Sequence, residues 1–390
     1  MSDACAFIET MAQSSHMRDA AATVRLMAVL LWGIAVAGLP SVVFAQPYAG
    51  PDALERAHKR LQWQAKNGGW TRVPDGEILR SGSEGTRVLE LRERLVETGD
   101  LVRWWSAPPD RYTGDVAEAV RHFQRRHGLR VDGVVGPETL RELNTPIDER
   151  ITQVEENLQK QRDLLAKNQK HYVLVNVPDF HLFLVEEGRV RLDMAVVVGK
   201  DGWRTPAMQD EIEHVVFNPT WSVPASIVEE ELAPKIATDP NFFERNNMIV
   251  LDLRNGSKER VDVDGLDVDW KNFDPRSFPY LIRQQPGPAN PMGQIKFMFP
   301  NSRGIYLHGT PMDHLFEERF RAFSHGCVRV EDPVALAAAL LDDEPGWTEE
   351  RIEKLTHTEK TRQVDLDEHV PVHIVYWTAF VDEDGTLHFR

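Results

Sequence analysis

The chain has 390 residues, of which 42% are hydrophobic and 27% charged, and a formal net charge of −16. That length and balance suit two or three packed domains and exclude wholesale disorder. The acidic charge and the lack of any polybasic run exclude nucleic-acid binding, which depends on Lys and Arg clustered at phosphates.

The first element is residues 1–45. Arg18 and Arg25 precede an apolar, uncharged run from Leu26 to Ala45, interrupted by Pro40, with small residues before Gln46. This pattern is expected to be an export signal or an uncleaved membrane anchor, which places the remainder in the periplasm or cell envelope. Met17 is an alternative start that leaves a signal of ordinary length. The chain has two cysteines, Cys5 and Cys327. Cys5 is lost with the signal, so no internal disulfide forms. A lone thiol in an oxidising compartment is a liability unless it has a task.

Residues 46–80 read as a short helical segment ending in the turns Gly68-Gly69 and Pro74-Asp75-Gly76. Residues 81–145 read as a compact helical unit. Val88, Leu91 and Leu95, then Val116, Ala119, Val120 and Phe123, recur at helical spacing. Asp115 with Glu118 predicts a capping box, and Gly128 a stop. Residues 146–170 read as a connector helix whose charges (Arg150, Glu155, Glu156, Lys160, Arg162) form a solvated face.

From His171 the period changes to two. Strands are expected over 171–177, 181–185 and 190–198, with a turn at Glu187-Gly188, and again over 295–299 and 304–308. Residues 222–290 interrupt them with acidic, Pro- and Asn-rich sequence and weak helical signals. That stretch is too long for a bare loop and is expected to form an inserted lobe over the site. Asp332 and Pro333 predict the N-cap and first position of a helix through Leu341. Residues 342–390 are expected to hold a helix and a closing hairpin, 370–380 with 386–389.

The chemistry concentrates in residues 304–330. His308-Gly309-Thr310 is followed by Ser324-His325-Gly326-Cys327-Val328-Arg329. Thiol catalysis needs a base, oxyanion donors and a substrate grip. Two histidines compete for the base, His308 and His325. Gly326 leaves backbone N–H groups accessible. Arg329 either grips a carboxylate or buttresses the loop. Tyr306 shares a strand face with His308, and Trp221 sits at the foot of the inserted lobe. A zinc site built from His308, His314, His325 and Cys327 is a rival of a different kind. It lacks the acidic group that usually accompanies catalytic zinc.

Two stretches resemble known families. Residues 119–144, with Phe123-Gln124, His127-Gly128-Leu129, Asp132-Gly133, Gly136 and Thr139-Leu140, resemble a three-helix peptidoglycan-binding module. The paired motifs at His308 and Cys327, with residues 217–227 and 284–301, resemble the large Gram-negative L,D-transpeptidases. The resemblance extends over 171–341. It implies an α+β multidomain chain: a small helical peptidoglycan-binding-like domain and a mainly β L,D-transpeptidase catalytic domain with an inserted capping lobe. It also implies Cys327 as nucleophile and His308 as base, oriented by a carbonyl near Gly309. Gly326 and Cys327 N–H groups would form the oxyanion hole, with Ser324, His325, Arg329, Tyr306 and Trp221 around the substrate. The implied reaction forms 3–3 cross-links between stem peptides, releasing D-alanine through a thioester. No metal or organic cofactor is implied. Expected partners are peptidoglycan stems and glycan, with carbapenems as acylating agents. Hydrolysis of the same thioester, and a wall-binding protein without activity, are the alternatives.

Overall fold

The computed structural model describes residues 48–102, 108–256, 258–263, 266 and 268–390. The expected export segment and Cys5 lie outside them.

Among the described residues five helices come first: α1 (Gly50–Lys66), α2 (Thr86–Glu97), α3 (Gly114–Arg126), α4 (Pro137–Leu143) and α5 (Ile147–Leu165). Helices α2 to α4 close on Val88, Leu91, Leu95, Val116, Val120, Phe123 and Leu143. Those in α2 and α3 are the positions that helical periodicity selects. Full burial of each such side chain is worth roughly 1.5–3 kcal/mol. The capping box does not form. The N-cap of α3 is Thr113, without a side-chain cap, and Asp115 instead pairs with Arg92 at 3.1 Å. Gly128 follows α3 with φ +60°, a left-handed stop.

Helix α5 also departs from expectation. Val154 and Leu158 pack with Leu54 and Leu61 of α1, and with Ala379, Val381, Leu387 and Phe389. Ile151, Val154 and Leu158 stand at i, i+3 and i+7, a stripe hidden among the charges that suggested a solvated connector.

The strands of the second half are β1 (His171–Asn176), β2 (His181–Glu186), β3 (Arg189–Gly199), β4 (Met208–Phe217), β9 (Ile295–Met298), β10 (Leu307–His308), β11 (Ala322–Ser324), β12 (Val328–Val330) and β13 (Arg362–Val375), with β5 to β8 in the insertion between β4 and β9. They form one sheet in the order β11-β3-β12-β10-β9-β4-β13-β1-β2, and β2 also pairs with β3, closing the sheet on itself. In β1 and β2 alternate residues serve two cores. Val173, Val175, Leu182 and Leu184 fill the central one. Tyr172, Leu174, Phe183 and Val185 meet Tyr48, Leu164 and Trp377 outside. Burial on both faces explains why these strands read as near-continuous apolar runs.

The expected closing hairpin is different in kind. Strand β13 begins at Arg362 and lies between β4 and β1, so the barrel is completed only by residues beyond 341. Its first half is polar and hid the strand from a hydrophobic reading. The hairpin proper is β14 (Ala379–Val381) with β15 (Leu387–Phe389).

The insertion carries its own four-stranded sheet, order β5-β8-β6-β7, from β5 (Trp221–Ser222), β6 (Met248–Asp252), β7 (Glu259–Val261) and β8 (Tyr280–Gln284). Helical pieces between 225 and 245 join it around Val228, Leu232, Phe242, Phe243, Val250 and Ile282. An apolar core of its own makes it a lobe, with more strand than its weak helical signals suggested. Helix α6 (Pro333–Leu340) begins as expected, Ala335 N donating to Asp332 Oδ1 at 2.8 Å. Helix α7 (Glu349–Thr356) follows.

Candidate active site

Three adjacent strands assemble the site. Strand β10 pairs with β9 (His308 opposite Lys296) and with β12 (His308 opposite Arg329). Side chains alternate along a strand. Tyr306, His308, Lys296, Cys327 and Arg329 therefore share one face, while Phe297, Leu307 and Val328 fill the barrel core. Lys296 Nζ stands 3.5 Å from the centroid of the Tyr306 ring. The rings of Tyr306 and His308 are 5.7 Å apart.

His308 is 3% exposed. Its Nδ1 lies 2.6 Å from the Gly309 carbonyl, which accepts only, so Nδ1 carries the proton and Nε2 keeps a lone pair. Gly293 allows this: a Cβ there would lie 2.5 Å from the Gly309 backbone, and its φ of +62° also favours glycine. Burial, reinforced by Arg329, pushes His308 down to about 3. The imidazole is neutral at ordinary pH.

Cys327 is half-buried, its Sγ 3.6 Å from the Gly304 carbonyl. No hydrogen bond joins it to His308 among the described residues. Burial pushes the thiol above its ordinary value, opposed by the Tyr306 backbone and side chain, Lys296 and Arg329. The resting pair is thus thiol and neutral imidazole, with no ion pair. Lys296 and Arg329 are themselves lowered by burial and favoured by Cys327. The Arg329 Nε is buried without a hydrogen-bond partner.

The turn before Cys327 is pinned twice. Ser324 Oγ accepts from Gly326 N at 3.1 Å and donates to the Cys327 carbonyl at 2.6 Å. Bonded in this way, Ser324, expected around the substrate, is a staple within the loop. The Gly326 N–H, expected in the oxyanion hole, is committed to that staple, which leaves the Cys327 amide as the remaining donor of the pair. Thr205 supplies the second pin: its Oγ1 donates to the Gly326 carbonyl at 2.8 Å and accepts from Gly199 N at 2.9 Å. In a trans peptide the C=O and N–H point opposite ways, so Thr205 aims the Cys327 N–H through the Gly326 carbonyl.

His325 stands apart from the thiol. It meets Trp203 edge-on at 5.1 Å, and its Nε2 is 3.1 Å from Glu231 Oε1 of the lobe, though off the line of a hydrogen bond. Burial and Lys200 lower it, with Glu231 opposing. It links the cysteine loop to the lobe. Trp221 packs against the lobe's own apolar cluster, and no described contact joins it to Cys327. His314 is exposed on a separate turn. The residues that sequence reasoning missed are Lys296 and Thr205. A lysine between the buried Ile295 and Phe297 was the available signal for the first; nothing local marked the second.

Residues 170–362 match the family described as L,D-transpeptidase catalytic domain. Residues 84–143 match one described as "Putative peptidoglycan binding domain". A Haemophilus influenzae protein named "Putative L,D-transpeptidase" is 38% identical over 215 residues, which is 55% of this chain and 42% of that one. The N-acetylmuramoyl-L-alanine amidase CwlL of Bacillus licheniformis is 34% identical over 68 residues, 17% of this chain and 19% of its own. The chain thus spans less than half the length of the first relative and about a fifth of the second. Among solved structures, an L,D-transpeptidase from Xylanimonas cellulosilytica is 17% identical, covering 77% of this chain and 99% of its own with a TM-score of 0.22. L,D-transpeptidase 3 from Mycobacterium tuberculosis, in complex with a faropenem-derived adduct, is 10% identical over 53% of this chain and 60% of its own, TM-score 0.24. At those TM-scores the superpositions carry no argument, and family membership rests on the sequence matches.

Proposed function

Because residues 170–362 belong to the L,D-transpeptidase catalytic-domain family, and residues 84–143 to the peptidoglycan-binding one, we propose that this protein is a peptidoglycan L,D-transpeptidase acting through a thioester on Cys327. The observation that carries the reading is one sheet face bearing a reachable thiol, a neutral buried imidazole fixed through Gly309, and two cations, Lys296 and Arg329, that form no ion pair among the described residues.

The thiol first leaves the Gly304 carbonyl. His308 Nε2 takes its proton as Sγ attacks the carbonyl carbon of the L,D bond in a tetrapeptide stem. The Cys327 N–H, aimed by Thr205, faces the developing oxyanion. His308 then returns the proton to the amine of the departing D-alanine, leaving a thioester. The side-chain amine of a second stem attacks the thioester, forms a 3–3 cross-link and restores the thiol. The broken amide is replaced by another, so no external energy source is consumed. Arg329, with its unpartnered Nε, grips a carboxylate of the donor stem. The lobe reaches the cysteine loop through Glu231 and His325, and by excluding water it favours an amine acceptor over hydrolysis. The apolar run from Leu26 to Ala45 supports export to the periplasm or anchoring in the cell envelope, and the 84–143 module would hold the enzyme on the glycan.

Purified protein incubated with disaccharide-tetrapeptides, followed by mass spectrometry, tests this. Dimers cross-linked 3–3 with release of D-alanine support it; tripeptides alone assign a carboxypeptidase, and unchanged tetrapeptides sink the catalytic reading. A carbapenem adduct that appears with or without chelator, and vanishes in Cys327→Ala, identifies the nucleophile and disposes of zinc.

A further inference from the structure

A second polar cavity, of about 310 Å³, opens away from the cysteine, where α1, α2, α3, α5 and the β14–β15 hairpin meet. Arg60, Arg94, Arg126, Arg150, His127 and Trp70 line it. Three arginines of this helical region are buried and paired: Arg92 with Asp115 at 3.1 Å, Arg126 with Asp100 at 2.6 Å, and Arg150 with Glu142. Arg94 is more deeply buried than any of these, at 1% exposure, yet has no ion-pair partner among the described residues. Its Nε donates to the Leu143 carbonyl at 2.8 Å and its guanidinium lies 3.9 Å over the Trp70 ring. Nη1 is buried with nothing to bond.

The nearby carboxylates are bonded elsewhere. Glu97, the one acidic residue lining the cavity among the described residues, accepts from Thr71 N at 2.6 Å and Thr71 Oγ1 at 2.8 Å. His127 is buried with both ring nitrogens unbonded, its Nδ1 3.4 Å from Glu142. Burial and Arg126 push the Arg94 guanidinium down to about 9, with Asp100 and Glu97 opposing from outside ion-pair distance. A buried charge is tolerated when a counter-charge meets it. With Asp100 bonded to Arg126, Glu142 to Arg150 and Glu97 to Thr71, the Arg94 Nη1 edge is left without an acceptor among the described residues, a place for one carboxylate oxygen from outside. The apolar wall of Leu61, Val96, Leu387 and Phe389 leaves room for a body attached to it.

We propose that this cavity binds the carboxylate of a small organic acid through Arg94, independently of Cys327. The acid is either free or carried on a wall sugar, and the two sources separate experimentally. The full chain is titrated by calorimetry with acetate, N-acetylmuramic acid and N-acetylglucosamine at constant ionic strength. Saturable one-to-one binding of either acid, and none of N-acetylglucosamine, is expected; the tighter acid names the source. Arg94→Met should bind on the order of 10- to 100-fold more weakly. Glu97→Gln, which removes the one competing carboxylate, should bind about two- to five-fold more tightly. That gain cannot come from misfolding, so it keeps the test decisive if Arg94→Met fails to fold. Absence of saturable binding by both acids, equal binding of N-acetylglucosamine, or an Arg94→Met variant that folds and binds as wild type would each overturn the proposal. So would Glu97→Gln with unchanged or weaker binding.

Discussion

Arg94 apart, the barrel face and the helical unit treat buried cations in opposite ways. In the helical unit Arg92, Arg126 and Arg150 are each matched to a carboxylate. On the barrel face Lys296 and Arg329 form no ion pair among the described residues, and the group they favour is the thiolate of Cys327. Matched pairs hold a fold together at little net gain, since desolvation offsets attraction. Unmatched cations beside an ionisable group store a preference for charge that appears only when the thiol ionises. The same residue types thus stabilise in one region and prepare chemistry in the other.

The comparison breaks most visibly at Cys327. Cys327→Ser should retain the melting temperature and lose carbapenem acylation to below about 1% of wild type, because a hydroxyl is far harder to ionise. Intact-mass kinetics read this directly, and a variant with several per cent of normal turnover removes the nucleophile assignment.

His308 comes next. His308→Ala should slow acylation by on the order of 10²–10⁴-fold. With His308 lowered to about 3, the wild-type base stays deprotonated down to that acidity, so its rate should vary little through neutral pH. The variant depends on unaided ionisation of a thiol raised above its ordinary 9.0, so its residual rate should climb only in the alkaline range. His325→Ala should cost less and keep the wild-type profile, since it joins the loop to Glu231. Rate against pH for both folded variants decides it; the alkaline climb in His325→Ala would reverse the two roles.

In the helical unit Asp100→Asn should destabilise by about 3–5 kcal/mol while leaving the acylation rate of folded protein unchanged. Asp100 accepts from Arg126 and Thr98 and meets His122 at 2.7 Å. These partners hold it at about 2. Its contribution is therefore present above the ordinary carboxylate range, near pH 4, and is lost as pH falls towards 2. Thermal melts at pH 7 and pH 3 should differ less in the variant.

The smallest effect sharpens the other side. Lys296→Met should raise the thiol midpoint further and slow acylation about tenfold, with little change in stability. Alkylation of Cys327 by iodoacetamide across pH gives the midpoint. An unchanged midpoint would make Lys296 a packing partner of Tyr306 only.

What the sequence revealed follows from where each signal is stored. Cys327 and His308 were legible because a glycine-flanked cysteine beside histidine and arginine is hard to explain as packing. The helical cores were legible through period, since Val88 to Leu95 and Val116 to Phe123 repeat in step with the turn. Lys296 and Thr205 were not, because they reach the thiol through cross-strand register and a loop staple, and neither leaves a local pattern. Ser324 was placed around the substrate by the resemblance alone; that its hydroxyl bonds inside the turn depends on loop geometry, which leaves no local pattern. The polar start of β13 and the apolar stripe of α5 show one error from two sides, in which average character concealed alternate positions.

The place of β13 has a consequence in time. Val173 pairs with Val372, and Val215 with Val364, so strands made early wait for one made much later in the chain. Pairings between such distant residues close slowly, because the chain must surrender its loop entropy before they return anything. A nascent chain that stops before Arg362 holds Cys327 and His308 in its sequence with β1 and β4 still unpaired at that edge. The reactive thiol is therefore armed only after β13 has been made and paired.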